Sequence, residues 1–329
     1  MPDNEAAANI AAPPAQSPME PLLGYTAATF PRSDEAPEGC RVIDDWEEDD
    51  FGHPVDITEE TYVTRRLSDG SAVDLPMWIY SPAGVRPPDE GWPVVVFVRG
   101  SAFHEQNVLG FTDCCVRIAA RGYLVAAPKY RHSDIAPFPA QMQDCKTAVR
   151  YVRAHAGRLH ADPERVALWG ESSGAHTVLM AGFTGDTGPD TEDYQEFSAE
   201  VRCIVDWYGP TDFAMMNYYP SAQNHHDPDS PEGWELGHVD VLERLEDSRL
   251  ASPMTYLVAE RPTPPTLIMH GGRDMLVPFN QSCRLYARMR ELGKDVTFIK
   301  LAEAGHGCRG FRSERALGCV ADFLAAHMG

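Results

Sequence analysis

The spacing of apolar residues changes character near Trp92. Before it, two runs alternate polar and apolar positions: TYVTRRL from Thr61 and AVDLPMWIY from Ala72. The turn-forming SDGS between them predicts an antiparallel hairpin at a sheet edge. After it, apolar residues come in short unbroken runs: WPVVVFV, YLVAAPKY, RVALWG, VRCIVDWYG, PTLIMHG and DVTFIKL. Stretches with helical character, Phe111 to Arg121, Ala140 to Ala156 and Ser173 to Phe183, separate the first of these runs. Continuous apolar strands alternating with helices predict a mostly parallel, doubly wound α/β sheet covered on both faces.

Two regions break this rhythm. The stretch from Ala214 to about Pro265 separates two strands by far more than an ordinary crossover, and we read residues 214–262 as a small cap insertion over a site. The chain up to about Cys40 is rich in Ala and Pro and runs on into the acidic DDWEEDD, a composition that does not build a core alone. Residues 1–55 therefore read as a flexible or surface-wrapping arm, and residues 56–329 as one domain.

Charge narrows the choice of partners. The 28 basic and 49 acidic side chains give a net charge of −21, which repels nucleic acid and anionic membranes. The N-terminus has no basic segment leading into an apolar run, and no stretch is long and apolar enough to span a bilayer, so a cytoplasmic protein without a membrane partner is expected. The eight cysteines are scattered, with no pair at metal-ligand spacing, and reduced thiols are expected. His225 and His226 lack a spaced third ligand and read as part of a solvated loop. Neither a metal nor a cofactor is expected. A homo-oligomer is compatible with this composition.

The candidate chemistry lies in LWGESSGAH, Leu168 to His176. The end of an apolar strand meets the start of a helix there, where ligands bind in sheets of this kind. A sharp turn strains its central residue and tolerates little bulk two positions to either side. Ser172 has Gly170 and Gly174 at those places, whereas Ser173 has Glu171 and Ala175, so the G-x-S-x-G pattern selects Ser172 as nucleophile. The backbone N–H of Ser173 is then placed to face a developing oxyanion. A serine needs a base and an acid. Asp274, just past PTLIMHG, and His306, just past DVTFIKL, supply them in the order Ser, Asp, His. Asp212 rivals Asp274 as the acid, and His270 reads as a structural histidine. The loop RGSAF after WPVVVFV offers the N–H groups of Ser101 and Ala102 as further oxyanion donors.

These segments, together with FPAQMQDCKTAVRYVRAHA, VDWYGPTDF, ASPMTYL and HGGRDMLVPFNQS, resemble the α/β-hydrolase superfamily. Within it, the chain is similar to the hormone-sensitive-lipase-like esterases, especially the bifunctional feruloyl and acetyl xylan esterase type. Arg99 stands where lipases of this kind carry a loop histidine, and Ser101 and Ala102 replace two glycines. The resemblance implies a serine carboxylic-ester hydrolase acting on a small-molecule ester of a short or aromatic acid, such as acetylated or feruloylated plant oligosaccharides. The same triad also suits a peptidase or arylformamidase that cleaves amides. A binding protein built on a retired hydrolase fold is the reading from another class, and such proteins usually lack a triad member.

Overall fold

The computed structural model describes residues 52–329, so the expected arm lies almost wholly outside the described residues. In chain order the strands are β1 (Val55–Arg66), β2 (Ala72–Pro82), β3 (Trp92–Val98), β4 (Leu124–Pro128), β5 (Ala161–Glu171), β6 (Ile204–Trp207), β7 (Thr266–Gly271) and β8 (Val296–Leu301). They form one eight-stranded sheet in the order β1-β2-β4-β3-β5-β6-β7-β8. β2 is antiparallel to both β1 and β4, and every later neighbour is parallel. The helices are α1 (Thr112–Ala119), α2 (Ala140–Ala154), α3 (Ala156–Leu159), α4 (Ser173–Thr184), α5 (Pro231–Glu235), α6 (Leu245–Leu250), α7 (Asn280–Glu291) and α8 (Glu314–Met328).

The unbroken apolar runs are explained by the two cores on either side of the sheet. Along β3 all seven residues are buried, and alternate side chains enter opposite faces because a strand repeats every two residues. Val94 and Val96 join Leu168, Val149, Val178 and Leu285 beneath α2, α4 and α7. Val95 and Phe97 join Trp169, Val205, Ile118 and Val320 beneath α1 and α8. A strand with both faces covered needs no polar positions.

At two places the strands differ from expectation. β1 begins at Val55, ahead of the expected start, because Asp56 to Glu59 lie exposed on the edge strand and break the alternation that marks a half-buried one. Charged outer residues also discourage edge-to-edge association. β5 begins at Ala161: Trp92 pairs with Ala161 but Val94 with Val166, so an irregularity absorbs the intervening residues.

Between β6 and β7 the chain forms α5, α6 and two turns of 3-10 helix, Phe213–Tyr218 and Pro253–Tyr256. Its small core of Phe213, Val241 and Ala251 closes on Phe103, a residue of the loop after β3. The insertion is thereby seated on a loop at the C-terminal end of the sheet.

Asp206 in β6 is fully buried and accepts a hydrogen bond from the Gly209 N–H at 2.9 Å, while its Oδ2 has no partner among the described residues. Burial pushes its pKa up to about 7. The folded state thus holds a proton that the unfolded chain releases near pH 4, and stability falls as pH rises from there through 7. Asp206→Asn removes that dependence. Urea unfolding should find the variant more stable than wild type at pH 8, with the gap closing toward pH 4; equal offsets at both pH values would contradict this.

Candidate active site

The strand β5 ends at Glu171 and α4 starts at Ser173, leaving Ser172 alone in the turn with φ of 55° and ψ of −129°. A residue with a side chain adopts such a conformation at a cost of about 1–3 kcal/mol. The surroundings enforce it. A Cβ on Gly170 would collide with the Gly174 carbonyl, and one on Gly174 would collide with the Val98 carbonyl of β3. The Ser172 N–H donates to the Trp207 carbonyl at 2.9 Å, tying the turn to β6.

The structure brings the three expected side chains together. His306 Nε2 lies 2.8 Å from Ser172 Oγ, and His306 Nδ1 lies 2.7 Å from Asp274 Oδ2. Asp274 Oδ1 accepts from the N–H groups of Leu276 at 2.9 Å and Val277 at 3.0 Å. Burial acts to raise the Asp274 pKa, but hydrogen bonds from His270 and His306 outweigh it and hold the carboxyl well below the usual carboxylate range. With an ionised acceptor at Oδ2, the imidazole carries its proton on Nδ1 and turns the lone pair of Nε2 toward Ser172. Asp212 is elsewhere, paired with Arg284 at 2.9 Å.

His270 is more than a structural histidine. Its Nε2 lies 3.2 Å from Asp274 Oδ2 and 3.1 Å from the Val277 carbonyl, and its Nδ1 lies 2.7 Å from Ser282 Oγ. It therefore shares the carboxylate that orients His306. Tyr208, immediately after β6, sets its ring edge-on to His306 with centroids 4.6 Å apart. Glu171, the x of the G-x-S pattern, accepts from the Gly100 N–H at 2.6 Å, from Tyr208 Oη at 3.2 Å and from the Arg99 guanidinium. Its position beside the serine was the only sequence signal for this role.

The oxyanion loop requires a correction. Ala102 and Phe103 both have positive φ, 54° and 65°. This bends the loop so that the N–H groups of Ser101 and Phe103 converge on the Ser173 hydroxyl, at 2.9 and 3.2 Å. The Ser101 N–H is thus occupied, contrary to its expected role. The Ala102 N–H makes no hydrogen bond within the described residues, and the Ser173 N–H, in the first turn of α4, has no intrahelical partner. Ala102 and Ser173 remain as the candidate donors. Ser173 also acts through its side chain, which the G-x-S-x-G argument, concerned with backbone alone, did not register.

A cavity of about 350 Å³ opens over Ser172. The loop after β3, Phe111 and Arg312 line it, as do Gln223, His225, Pro231 and Glu232 from the insertion. The guanidinium carbons of Arg99 and Arg312 lie 4.5 and 4.1 Å from the Phe111 ring centroid. His225 is not in a solvated loop: its side chain is 1% exposed and bonded to buried Glu232. The charge of Glu232 compensates a burial that the polar sequence around His225 concealed.

A mostly parallel sheet with a strained serine between β5 and α4, and an acid and a histidine after the last two strands, defines an α/β-hydrolase fold. The chain belongs to the BD-FAE family, whose model matches residues 77–289. It is 28% identical over 267 residues to the esterase LipC of Mycobacterium tuberculosis, covering 76% of this chain and 61% of that one. Among solved structures, a truncated carbohydrate esterase from gut microbiota superposes with a TM-score of 0.71 at 27% identity, over 86% of this chain and 98% of that one. A bifunctional GH43-CE protein of Bacteroides eggerthii gives a TM-score of 0.72 at 28% identity, over 83% of this chain and 38% of that one. The chain spans between half and about three-fifths of the length of LipC and of two further mycobacterial esterases it matches, LipM and LipQ.

The two adjacent serines are separable. Ser172→Ala should abolish labelling by a fluorophosphonate probe. Ser173→Ala should still label, but roughly 10-fold or more slowly, because the loop N–H groups lose their shared acceptor and the oxyanion pocket loses its shape. Unchanged labelling kinetics in Ser173→Ala would show that its hydroxyl does not shape the pocket.

Proposed function

We propose that the protein is a serine carboxylic-ester hydrolase that works through an acyl-enzyme. The observation that carries this reading is the unbroken chain from Ser172 Oγ through His306 to Asp274, beside the Ala102 and Ser173 N–H groups, which have no hydrogen-bond partner among the described residues. In this mechanism His306 Nε2 removes the Ser172 hydroxyl proton as Oγ attacks the ester carbonyl carbon. The carbonyl oxygen gathers negative charge between the N–H groups of Ala102 and Ser173, with the N-terminus of α4 adding its dipole. Collapse of the tetrahedral intermediate breaks the bond to the alkoxy oxygen, which takes the proton from His306 and leaves as the alcohol. Water then enters, gives a proton to His306, and its oxygen attacks the acyl carbon. The carboxylic acid departs as Ser172 regains its proton.

Three features support short acyl groups. The cavity lies near the lower end of the range for small-molecule sites. Gln223, His225, Pro231 and Glu232 of the insertion line it. Of the aromatic and methionine residues expected to pack within the insertion, Met216 is fully buried but Tyr218 is 66% exposed, and none of Met215, Met216, Tyr218, Tyr219 or Trp234 lines the cavity. The carbohydrate esterase among the similar structures supports a sugar hydroxyl as the leaving group, with acetylated or feruloylated oligosaccharides as the natural class. The modest volume of the cavity favours acetyl over feruloyl esters.

With p-nitrophenyl esters, kcat/KM should be highest from acetyl to butyryl and fall by about 10-fold or more at octanoyl, as each methylene that the cavity cannot seat loses its binding energy. Ethyl ferulate should be cleaved more slowly than an acetylated xylooligosaccharide. No turnover of any ester, with efficient cleavage of aminoacyl anilides or formylkynurenine, would overturn the reading in favour of an amide hydrolase.

A further inference from the structure

The insertion is fastened to the loop that carries Asp274. The His225 and Glu232 side chains are 1% and 2% exposed. His225 Nδ1 lies 2.9 Å from Glu232 Oε2, and its Nε2 lies 2.9 Å from the Leu276 carbonyl oxygen. A carbonyl can only accept, so Nε2 bears a proton, and a carboxylate at Nδ1 draws a second to the ring. Burial disfavours that charge, but the hydrogen bond and charge of Glu232 outweigh it and raise the His225 pKa above its ordinary value. Ser221 Oγ lies 2.9 Å from both the Leu276 carbonyl and His225 Nε2. The Ala222 N–H donates to the Met275 carbonyl at 2.7 Å.

Ser221, His225 and Glu232 thus have the outline of a second serine triad. The chemistry says otherwise: with Nε2 committed as a donor, the ring has no lone pair to take a proton from Ser221. The trio acts as a clamp. What it clamps is the peptide joining Leu276 to Val277, whose carbonyl is held from the insertion while its N–H, that of Val277, donates to Asp274 Oδ1; the preceding peptide has its Met275 carbonyl held by the Ala222 N–H and its Leu276 N–H on the same Oδ1. The Val277 carbonyl faces His270 Nε2.

We propose that His225, backed by Glu232, is a positioning residue for Asp274: by holding the Leu276 carbonyl it fixes the Val277 N–H of the same peptide and the adjoining Leu276 N–H on Oδ1, and so the direction in which Oδ2 meets His306. The insertion then forms one wall of the cavity and also sets the catalytic acid. This inference rests on the esterase reading for its kinetic consequences but not for its geometric one.

The test uses the full chain. His225→Ala should lower kcat for p-nitrophenyl acetate by roughly 10- to 100-fold, the scale of an ångström-level misplacement, with KM changed by less than about threefold. His225→Gln, whose amide can still donate to Leu276, should recover most of the loss. In an Asp274→Asn background, where turnover is already about 10³- to 10⁴-fold down, His225→Ala should cost almost nothing further. Independently of turnover, the far-downfield proton signal of the His306–Asp274 hydrogen bond should shift or broaden in His225→Ala and be restored in His225→Gln. Wild-type kcat and an unchanged proton signal in His225→Ala would overturn the proposal, as would an equal loss in the Asp274→Asn background. If the wild-type chain hydrolyses no ester, the proton signal alone decides the clamp, and the failure belongs to the esterase reading.

Discussion

Ser172 can hold its strained conformation only because the backbone of β3 and the first turn of α4 press against the glycines on either side of it. That contact places the hydroxyl above the sheet, faces the N-terminus of α4 toward the same space, and brings the loop after β3 within hydrogen-bond reach of Ser173. Everything else in the site is arranged around this turn. Glu171, buried beside it, gathers the Gly100 N–H, the Arg99 guanidinium and the Tyr208 hydroxyl, so the residues immediately before and after the serine both anchor the oxyanion loop. The strain at Ala102 and Phe103 persists because these bonds hold it.

The opposite side of the site is governed by charge. Asp274 is a buried carboxylate satisfied by two backbone N–H groups and two histidines, the environment in which an acid stays ionised despite its burial. Both backbone donors come from residues 276 and 277, and residue 276 is in turn gripped by the insertion through His225. The insertion is therefore coupled to both halves of the site, through Phe103 to the oxyanion loop and through Leu276 to the acid.

The parallel strands were plain in the sequence because each is buried on both faces, and the elbow was plain because close backbone approach admits only glycine at positions 170 and 174. Ser172, Asp274 and His306, which the structure brings together, stood out as candidates because each follows a legible strand. What escaped the sequence depends on distant partners. The Ser101 N–H is taken by a hydroxyl 72 residues away, and a pair of histidines in a polar stretch gives no sign that one of them is neutralised by Glu232. The early start of β1 escaped because an exposed, charged edge strand carries no apolar rhythm.

The central claim is that Ser172 becomes acylated, and it can be measured directly. The chain is mixed with p-nitrophenyl acetate, quenched in acid within milliseconds, digested, and its peptides weighed. The account predicts a single added acetyl group on Ser172 that accumulates in Asp274-intact protein and decays with turnover. Acetylation at Ser173 or Ser221, or ester turnover with no acyl group on any serine, would contradict it.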